Sequence, residues 1–172
     1  GREPMKVADL MQDDGRVFLK SEWGPINDEW PCVSFTKTSV GHRLRREFRP
    51  GRDVLVYVGT TNKETTEDPA HRGRLLSAVA VEPNQLLETR KLIPPAVWEE
   101  KRRRWGEDRW PHAMAVVRAA QFSGPPFPEA RDVIPSAYRS FADMANRGNI
   151  VEALDTERQD VMNLEVHPVE LQ

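Results

Sequence analysis

The sequence predicts an α+β fold, a mixed and mostly antiparallel β-barrel with helices beside it. Short runs rich in Val, Phe, Leu and Tyr recur between Gly, Pro and Asn, which is typical of strands joined by turns. Helical segments separate only some of these runs, so the regular alternation of a parallel α/β sheet is missing. A length of 172 residues suits one domain, which we place at residues 5–172, and the four residues before Met5 resemble a tag remnant.

The first two predicted strands flank a loop that contains tryptophan. Residues 16–20 (RVFLK) alternate in polarity, and residues 32–36 (CVSFT) are largely apolar or β-branched, so both segments are predicted strands. The residues between them include Pro, Gly, Asn and Asp, which predict a loop, although this loop also holds Trp23 and Trp30.

A short basic helix is expected next, over residues 40–48. Ser39 is a preferred N-cap residue, and the following Pro-Gly pair at residues 50–51 is expected to end the helix. Apolar side chains recur at helical spacing at Val40, Leu44 and Phe48.

The centre of the chain predicts a pair of strands. Residues 53–59 (DVLVYVG) give the strongest strand signal, and residues 74–81 (RLLSAVAV) predict the returning strand. The polar stretch between them is a predicted loop, and residues 86–92 are expected to add another strand.

A Pro-Pro pair introduces a predicted helix over residues 95–105, because proline is accepted in the first turn, where its missing N–H has no partner. Trp98 and Trp105 are expected to share the buried face of this helix. Residues 112–122 (HAMAVVRAAQF) suit a strand or a helix by propensity, and the prolines on either side favour a strand.

The C-terminal part predicts helices and a closing strand. Apolar side chains at helical spacing and a later glycine predict a helix over 135–146, and a further short helix is expected within 149–161. Residues 164–171 (LEVHPVEL) predict a strand, in which Pro168 requires an edge or a bulge.

Composition and charge limit the function classes. Cys32 is the one cysteine, which excludes a disulfide within the chain and a cysteine-based zinc site and favours a cytoplasmic location. No apolar run approaches the roughly 20 residues of a membrane span. The net charge of −2 argues against general polyanion binding, but residues 37–52 and 101–104 concentrate Lys and Arg, so a local phosphate-binding face stays open.

Catalytic chemistry has no strong signature here. The motifs of phosphate-binding loops, dinucleotide folds, zinc proteases and serine hydrolases are absent. The four histidines are far apart and lack metal-ligand spacing, so we assign no metal, no cofactor and no catalytic residue. Cys32 lies in an apolar strand pattern that favours a packing role. Enzymatic activity is left uncertain, with a non-enzyme favoured.

Recognition is the better supported class. Trp23, Trp30 and Trp110 lie in or near loops, with Arg-rich segments between them, and aromatic faces stack on bases while Arg contacts phosphates. Core packing is an equally weighted explanation for these tryptophans, since tryptophan is large and mostly buried. The arginines around residues 43–52 would also serve to solvate the outer face of a helix.

Several segments carry a family resemblance. Residues 17–22 (VFLKSE) resemble the opening strand of EVE domains, members of the PUA-like superfamily that also contains YTH and ASCH domains. The runs LRREFRPGRDVLVYVGT, HRGRLLSAVAVEP and RWPHAMAVVRAAQF resemble later elements of that family in the same order. The chain departs from the family at WGPINDEWP, where a Pro-led helix is usual, and at SFTKT, where Gly-Val-Arg-Asn is typical.

The resemblance implies a strongly bent PUA-like barrel and a function as a nucleic-acid reader. Such a reader holds a flipped, modified base, for example a modified cytosine, in an aromatic pocket, and it works with DNA or RNA and with an effector nuclease as a separate chain or subunit. The phosphate contacts would fall to Arg43, Arg45, Arg72 and Arg74. The predicted pocket residues are Lys20, Ser21, Trp23, Ser34, Phe35, Thr36, Lys37, Thr38, Tyr57 and Trp110.

Two alternatives stay open. The first is an ASCH-like hydrolase that acts on RNA or a nucleoside, with Lys20, Glu22, Lys37 or Thr38 as candidate groups. A pocket that holds Lys20 and Glu22 within hydrogen-bond reach would favour it. The second is a small-molecule or protein-interaction module, which predicts an exposed apolar patch and no basic surface beside the cavity.

Overall fold

The computed structural model of the chain describes residues 5–144 and 150–172, so the predicted tag remnant lies outside the described residues. Strands and helices follow one another irregularly, as expected. The strands are β1 (Met5–Lys6), β2 (Val17–Glu22), β3 (Cys32–Phe35), β4 (Val54–Gly59), β5 (Leu75–Val81), β6 (Leu87–Glu88), β7 (His112–Phe122), β8 (Val151–Glu152) and β9 (Glu165–Val169). The helices are α1 (Thr38–Glu47), α2 (Pro95–Trp105), α3 (Ala130–Val133), α4 (Pro135–Met144) and α5 (Asp155–Met162), with short 3-10 turns at Val7–Leu10, Pro69–His71 and Thr89–Lys91.

The strands form a mixed sheet, which confirms the predicted α+β class and the mostly antiparallel pairing. Its hydrogen-bonded order is β1-β9-β7-β5-β4-β2-β8, with β3 and β6 also paired to β7. The neighbours β2 and β4 run parallel. Within the described residues no pairing joins β1 to β8, so the sheet is open there and the barrel stays a prediction.

The long strand β7 belongs to two groups of partners. Its first residues pair with β3 and β6, with Ala115 opposite Cys32 and His112 opposite Phe35. Its later residues pair with β5 and β9. The strand prediction over 112–122 is therefore confirmed, because packing between two sets of strands outweighs the helix propensity of its alanines.

The strands β4 and β5 form the centre of the core. Every residue of both is buried, as their nearly continuous apolar pattern predicts for strands covered on both faces. Phe18, Phe48 and Phe122 are among the largest fully buried side chains around them. In the described ranges, no helix is long and apolar enough to cross a bilayer.

The helix α1 begins earlier than predicted. Lys37 occupies its N-cap position and Thr38 is its first residue, so the prediction that Ser39 caps the helix is wrong. Lys37 makes no capping hydrogen bond from its side chain. Burial of Val40 and Leu44 against the core holds this helix in place, and tertiary packing of this kind contributes more than a cap.

The expected strand over 86–92 is mostly wrong. Leu87 and Glu88 pair with β7, and the next residues form a 3-10 turn. The 3-10 turn begins directly after β6, at Thr89. The hydroxyl of Thr89 donates to the carbonyl of Trp110 at 2.5 Å and holds this turn beside the segment that precedes β7.

The C-terminal elements match their predictions in type but not in length. The helix α5 starts later than the predicted 149–161 segment because β8 comes first, and the last residues of the predicted helix 135–146 lie outside the described residues. Strand β1 pairs with Glu165 and Val166, so Pro168 lies beyond that paired stretch, where its missing N–H breaks no ladder bond to β1. Strands β1 and β8 and helix α3 are too short to give a sequence pattern.

A buried carboxylate joins the beginnings of β2 and β4. Asp53 is fully buried and accepts hydrogen bonds from the backbone N–H of Arg16 at 2.9 Å and of Arg49 at 2.8 Å. The Arg52 guanidinium donates to both carboxylate oxygens, at 2.9 and 3.0 Å. Burial alone would raise the pKa of Asp53, but the hydrogen bonds from Arg52, Arg16 and Arg49 outweigh it and lower that pKa below its usual value.

We expect Asp53→Asn to lower the free energy of unfolding by about 1–3 kcal/mol, because an amide donor then faces backbone N–H groups. The contribution of the native carboxylate is present above the unfolded-state pKa of about 4 and is lost as the pH falls through the lowered folded-state pKa. Urea unfolding at several pH values measures both effects. The free energy of unfolding should fall less steeply with decreasing pH in the variant than in the native protein.

Asp68→Asn is the matched control for this prediction. Asp68 is exposed and accepts one backbone N–H, from Ala70 at 2.9 Å. Its substitution should change stability by less than about 0.5 kcal/mol. Equal losses in both variants would contradict the special role of Asp53.

Candidate functional site

A cavity of about 480 Å³ opens between β2, β4 and the loop that follows β2. The end of β3, the start of α1 and the segment around Trp110 complete its wall. The volume lies within the range of roughly 300–1,000 Å³ that is usual for small-molecule sites. Of the predicted pocket residues, Thr38 does not line the cavity, whereas those that do are Lys20, Ser21, Trp23, Ser34, Phe35, Thr36, Lys37, Tyr57 and Trp110.

The pairing of β2 with β4 explains why residues distant in sequence meet here. Side chains alternate across a strand, so Lys20 and Glu22 point to the same face of β2. Lys20 lies opposite Tyr57 in the parallel register, and cross-strand partners share a face. Lys20, Glu22 and Tyr57 therefore stand together, and we call them the inner wall of the cavity.

The inner wall contains a buried ion pair. The Lys20 ammonium donates to the Glu22 carboxylate at 2.9 Å and to the Ser21 carbonyl at 3.3 Å. The two charged side chains are 7% and 18% exposed, respectively. Burial raises the pKa of Glu22 above its usual value, and the Lys20 ammonium opposes part of that rise. The charges of the pair cancel, so this part of the cavity is polar but neutral.

The third group of the inner wall is an unpaired phenol. The hydroxyl of Tyr57 is buried and has no hydrogen-bond partner within the part of the chain that the structure describes. Burial raises the pKa of Tyr57 well above its usual value, and the neighbouring Glu22 adds to the rise, so the phenol stays protonated at neutral pH. An unsatisfied buried hydroxyl costs about 1–3 kcal/mol, which a ligand atom in the cavity would recover.

Trp23 and Trp110 are half-buried and line the outer part of the cavity, which we call its mouth, and Trp105 packs against both rings without lining the cavity. The rings of Trp23 and Trp110 pack edge to face with centroids 4.4 Å apart, and Trp105 lies 5.4 Å from Trp23. Such arrangements of aromatic rings are favourable. The expectation that Trp105 shares one buried face with Trp98 is wrong in part, because Trp98 packs against a separate apolar cluster of Cys32, Ile93 and Ala113. The Lys101 ammonium lies 3.8 Å from the Trp98 ring.

The backbone of Trp110 adopts a left-handed conformation with φ of 55°. This conformation is uncommon for a residue with a side chain and costs on the order of 1 kcal/mol or more. Two threonines hold it: the Trp110 N–H donates to the Thr36 hydroxyl at 3.2 Å, and the Trp110 carbonyl accepts from the Thr89 hydroxyl. Tertiary hydrogen bonds thus fix the indole at the mouth.

Further hydrogen bonds hold the loop that follows β2 over the cavity. The N–H of Ile26 donates to the Ser77 hydroxyl on β5 at 3.0 Å. The indole N–H of Trp30 donates to the Ser34 hydroxyl, also at 3.0 Å. The side-chain oxygen of Asn27 accepts from the Trp30 N–H and closes a turn. The loop is therefore shaped before any ligand enters.

The predicted phosphate-binding arginines lie outside the cavity lining. Arg43 forms an ion pair with Glu47 at 2.7 Å and also donates to a backbone carbonyl. Arg72 and Arg74 donate to backbone carbonyls at 2.8–2.9 Å. Arg45 is exposed on α1. The phosphate role of these four residues stays a prediction, and Arg45 is the one of the four whose guanidinium forms no hydrogen bond or ion pair among the described residues.

The basic run at residues 101–104 is also engaged internally. Lys101 is buried and donates to the carbonyl of Gly106 at 2.8 Å, which satisfies the C-terminal end of α2. The three arginines pair with acidic neighbours, Glu99, Glu100 and Glu67. This run therefore adds little free positive charge.

Two other cations stand at the mouth. Lys37 and Arg109 line the cavity and are exposed, and in residues 5–144 and 150–172 neither forms an ion pair with a carboxylate. The Arg109 guanidinium lies 5.0 Å from the Trp110 ring and 5.4 Å from the Trp105 ring. Arg109 was not predicted from the sequence, although its place next to Trp110 was an available signal.

Other reactive groups are explained by packing. Burial raises the pKa of the Cys32 thiol to about 12, so it is a poor nucleophile at neutral pH. Ser123 contacts the Nε2 atom of His167 at 2.7 Å, but the nearby Glu165 carboxylate faces the same nitrogen, which is not the arrangement of a catalytic triad. The described residues contain no group of three His, Cys, Asp or Glu side chains that could hold a metal ion.

The chain matches no protein-family model, no curated protein and no solved structure. The resemblance to EVE domains consequently rests on the sequence segments named above.

The Lys20–Glu22 pair predicts a characteristic pattern of stabilities. Lys20→Met and Glu22→Gln should each lower the free energy of unfolding by about 3 kcal/mol, since each leaves one charge or polar group buried without its partner. The double variant should be as stable as the native protein or more so, because the cost of desolvating both charges disappears. Thermal and urea unfolding measure the cycle.

The exposed Glu88–Lys91 pair, at 2.8 Å, is the control. Neutralising it singly or doubly should leave the melting temperature nearly unchanged, since exposed ion pairs contribute little. Additive losses at Lys20 and Glu22 would contradict a coupled, buried pair.

Proposed function

We propose that this chain is a PUA-like, EVE-related reader domain that binds nucleic acid and accepts a flipped, modified base in the cavity. The observation that carries the proposal is the order of chemical groups from the mouth inward. Among the residues that line the cavity, the cations Lys37 and Arg109 are exposed, the indoles of Trp23 and Trp110 are half-buried, and the ring of Phe35 and the polar groups of Lys20 and Tyr57 are buried. An unstacked nucleotide that enters base first offers matching parts in the same order, namely phosphate, aromatic ring and polar base edge.

Stacking would offset the cost of extracting the base. Flipping a nucleotide out of a duplex costs a few kcal/mol, and each base–aromatic stack contributes about 1–3 kcal/mol. Trp23, Phe35 and Trp110 supply aromatic rings around the cavity. The loop that follows β2 is already held by hydrogen bonds, so it needs little reordering when a ligand binds. A modified base fills more of the cavity than an unmodified one, which gives the site a means of selection.

The phosphates beside the base are assigned to Lys37 and Arg109. Both side chains are exposed at the mouth and free of carboxylate partners among the described residues. Arg45 is a further candidate. Because the net charge is −2, we expect few phosphate contacts and a binding affinity that depends on the captured base more than on the backbone.

The rest of the proposal follows the family resemblance. The partner is a DNA or RNA strand, an effector nuclease acts as a separate chain or subunit, and the site of action is the cytoplasm. A strongly bent barrel belongs to the same proposal. The two groups of partners along β7 support such a bend.

A hydrolase of the ASCH type is the second candidate, favoured by one observation. Lys20 and Glu22 lie in the cavity within hydrogen-bond reach of each other, as this alternative requires. Lys37 also lines the cavity, whereas Thr38 does not. Turnover of an RNA and acylated-nucleoside panel by the native protein, lost in the Lys20→Met/Glu22→Gln variant, would favour this candidate over a reader.

We expect Trp23→Ala to weaken binding of an oligonucleotide that carries one modified cytosine by about tenfold or more, because a stacking surface is lost. Trp98→Ala is the matched control, since Trp98 packs outside the cavity. Fluorescence polarisation with labelled strands measures affinity, and thermal melting checks that both variants fold. Equal weak binding of modified and unmodified strands by the native protein would contradict the proposed reader.

Salt dependence should locate the phosphate contacts. Lys37→Gln and Arg109→Gln should each weaken binding of every strand alike and reduce the slope of log affinity against log salt concentration by about 0.7–1. Arg45→Gln tests the predicted basic face of α1 in the same titration. A reduced slope for Arg45→Gln alone would move the phosphate path from the mouth to α1.

A further inference from the structure

Two tryptophans of the cavity are held by a pair of buried hydroxyl groups that contact each other. The indole N–H of Trp30 donates to the Ser34 hydroxyl at 3.0 Å, and the Thr89 hydroxyl donates to the Trp110 carbonyl at 2.5 Å. The oxygens of Ser34 and Thr89 are themselves 3.3 Å apart. A continuous line of polar contacts therefore runs from the ring of Trp30 to the backbone of Trp110.

Backbone pairing fixes the position of both hydroxyl groups. Thr89 is fully buried and does not line the cavity, and Ser34, which does, is only 5% exposed. The backbone N–H of Thr89 donates to the Pro111 carbonyl at 2.9 Å, and Ser34 pairs with Ala113 across the β3–β7 ladder. The two residues are thus held against β7 and the residues that precede it.

The Ser34 hydroxyl has little hydrogen-bonding capacity left for a ligand. A serine hydroxyl provides one donor and two acceptor lone pairs. Its oxygen accepts from the Trp30 indole and faces the Thr89 hydroxyl, and the Cys32 Sγ atom lies 3.7 Å away. Internal contacts therefore explain why a polar side chain stands at this place in the cavity wall.

Trp110 needs such support because its backbone is in the left-handed conformation. A residue with a side chain relaxes to negative φ unless its surroundings prevent it. Relaxation would turn the indole away from Trp23, on which it now packs with centroids 4.4 Å apart. Of the two threonines that contact this backbone, Thr36 is exposed and Thr89 is fully buried, so water competes less with the second contact.

We propose that Thr89 and Ser34 are positioning residues of the cavity, whose paired hydroxyl groups couple Trp30 to Trp110 and hold both indoles ready for a ligand ring. Neither hydroxyl contacts the ligand, and each acts through a tryptophan. The fixed placement of the two indoles is a property of the free protein. Its effect on binding rests on the proposed function.

The first test uses the free full chain and its indole N–H signals in the nitrogen–proton NMR spectrum, with Trp30→Phe to assign the Trp30 signal. Thr89→Val keeps the branched shape of the side chain and removes the hydroxyl. This variant should shift the Trp30 signal and speed hydrogen exchange of the Trp110 amide. Thr89→Ser restores the hydroxyl and should restore both. If either readout stays native in Thr89→Val, the proposed coupling is wrong.

The second test measures binding of the oligonucleotide that carries one modified cytosine. Thr89→Val should weaken binding about fivefold or more, as expected when a strained residue relaxes, and Thr89→Ser should bind like the native protein. In a Trp110→Ala background the same Thr89→Val change should have a much smaller effect, because that indole is no longer there to be positioned. Equal losses in both backgrounds would indicate a general structural role and overturn the proposal.

Thr66→Val is the matched control. Thr66 is also fully buried and outside the cavity lining, and its hydroxyl contacts that of Thr60 at 2.6 Å. The control should lower the melting temperature as Thr89→Val does, yet leave the Trp30 signal and the affinity native; an equal loss of affinity would count against Thr89. If the native protein binds no strand, the proposed function fails, and the NMR readouts of the free protein still decide the positioning role.

Discussion

The Asp53 carboxylate fixes how β2 lies against β4, and the cavity depends on that register. Asp53 accepts the backbone N–H of Arg16 just before β2, while the N–H of Val54 at the start of β4 donates to the Arg16 carbonyl. Side chains alternate across a strand, so a slip of one residue would turn Lys20 and Glu22 away from Tyr57. A structural anchor at one end of the strand pair thus sets the chemistry at the other end.

The cavity is a place where the fold accepts a stability cost. A buried ion pair such as Lys20–Glu22 usually contributes no more to the free energy of unfolding than apolar side chains of the same volume. The Tyr57 hydroxyl, which has no partner among the described residues, lowers that free energy. The strained backbone of Trp110 adds to this cost. Such departures from the best folding choice cluster where a ligand binds, because the ligand supplies the missing contacts. Their coincidence in one cavity is the physical reason for treating it as a functional site.

Sequence patterns predicted what depends on local periodicity, and they failed where distant contacts decide. The apolar run of β4 was found because burial imposes a pattern on several neighbouring residues, whereas α2 and β7 were found because prolines mark their boundaries. The start of α1 was wrong because core packing replaces the expected Ser39 cap. Most predicted pocket residues lie on one cavity because the parallel pairing of β2 with β4 brings distant segments together, which no residue pattern along the chain encodes. The exposed cation at Arg109 was missed because the ion pairs that engage the arginines of the basic run at 101–104 cannot be seen in a linear sequence.

The tryptophan cluster at the mouth also gives the protein an optical signature. Indoles whose ring centroids lie 4.4–6.2 Å apart couple their electronic transitions, and the strength of that coupling depends on the angle between the rings. Because Trp23, Trp105 and Trp110 come from different segments, their coupling reports the relative placement of the loop after β2, the end of α2 and the turn before β7. Circular dichroism in the indole bands can therefore follow the shape of the mouth in the native protein without an attached dye.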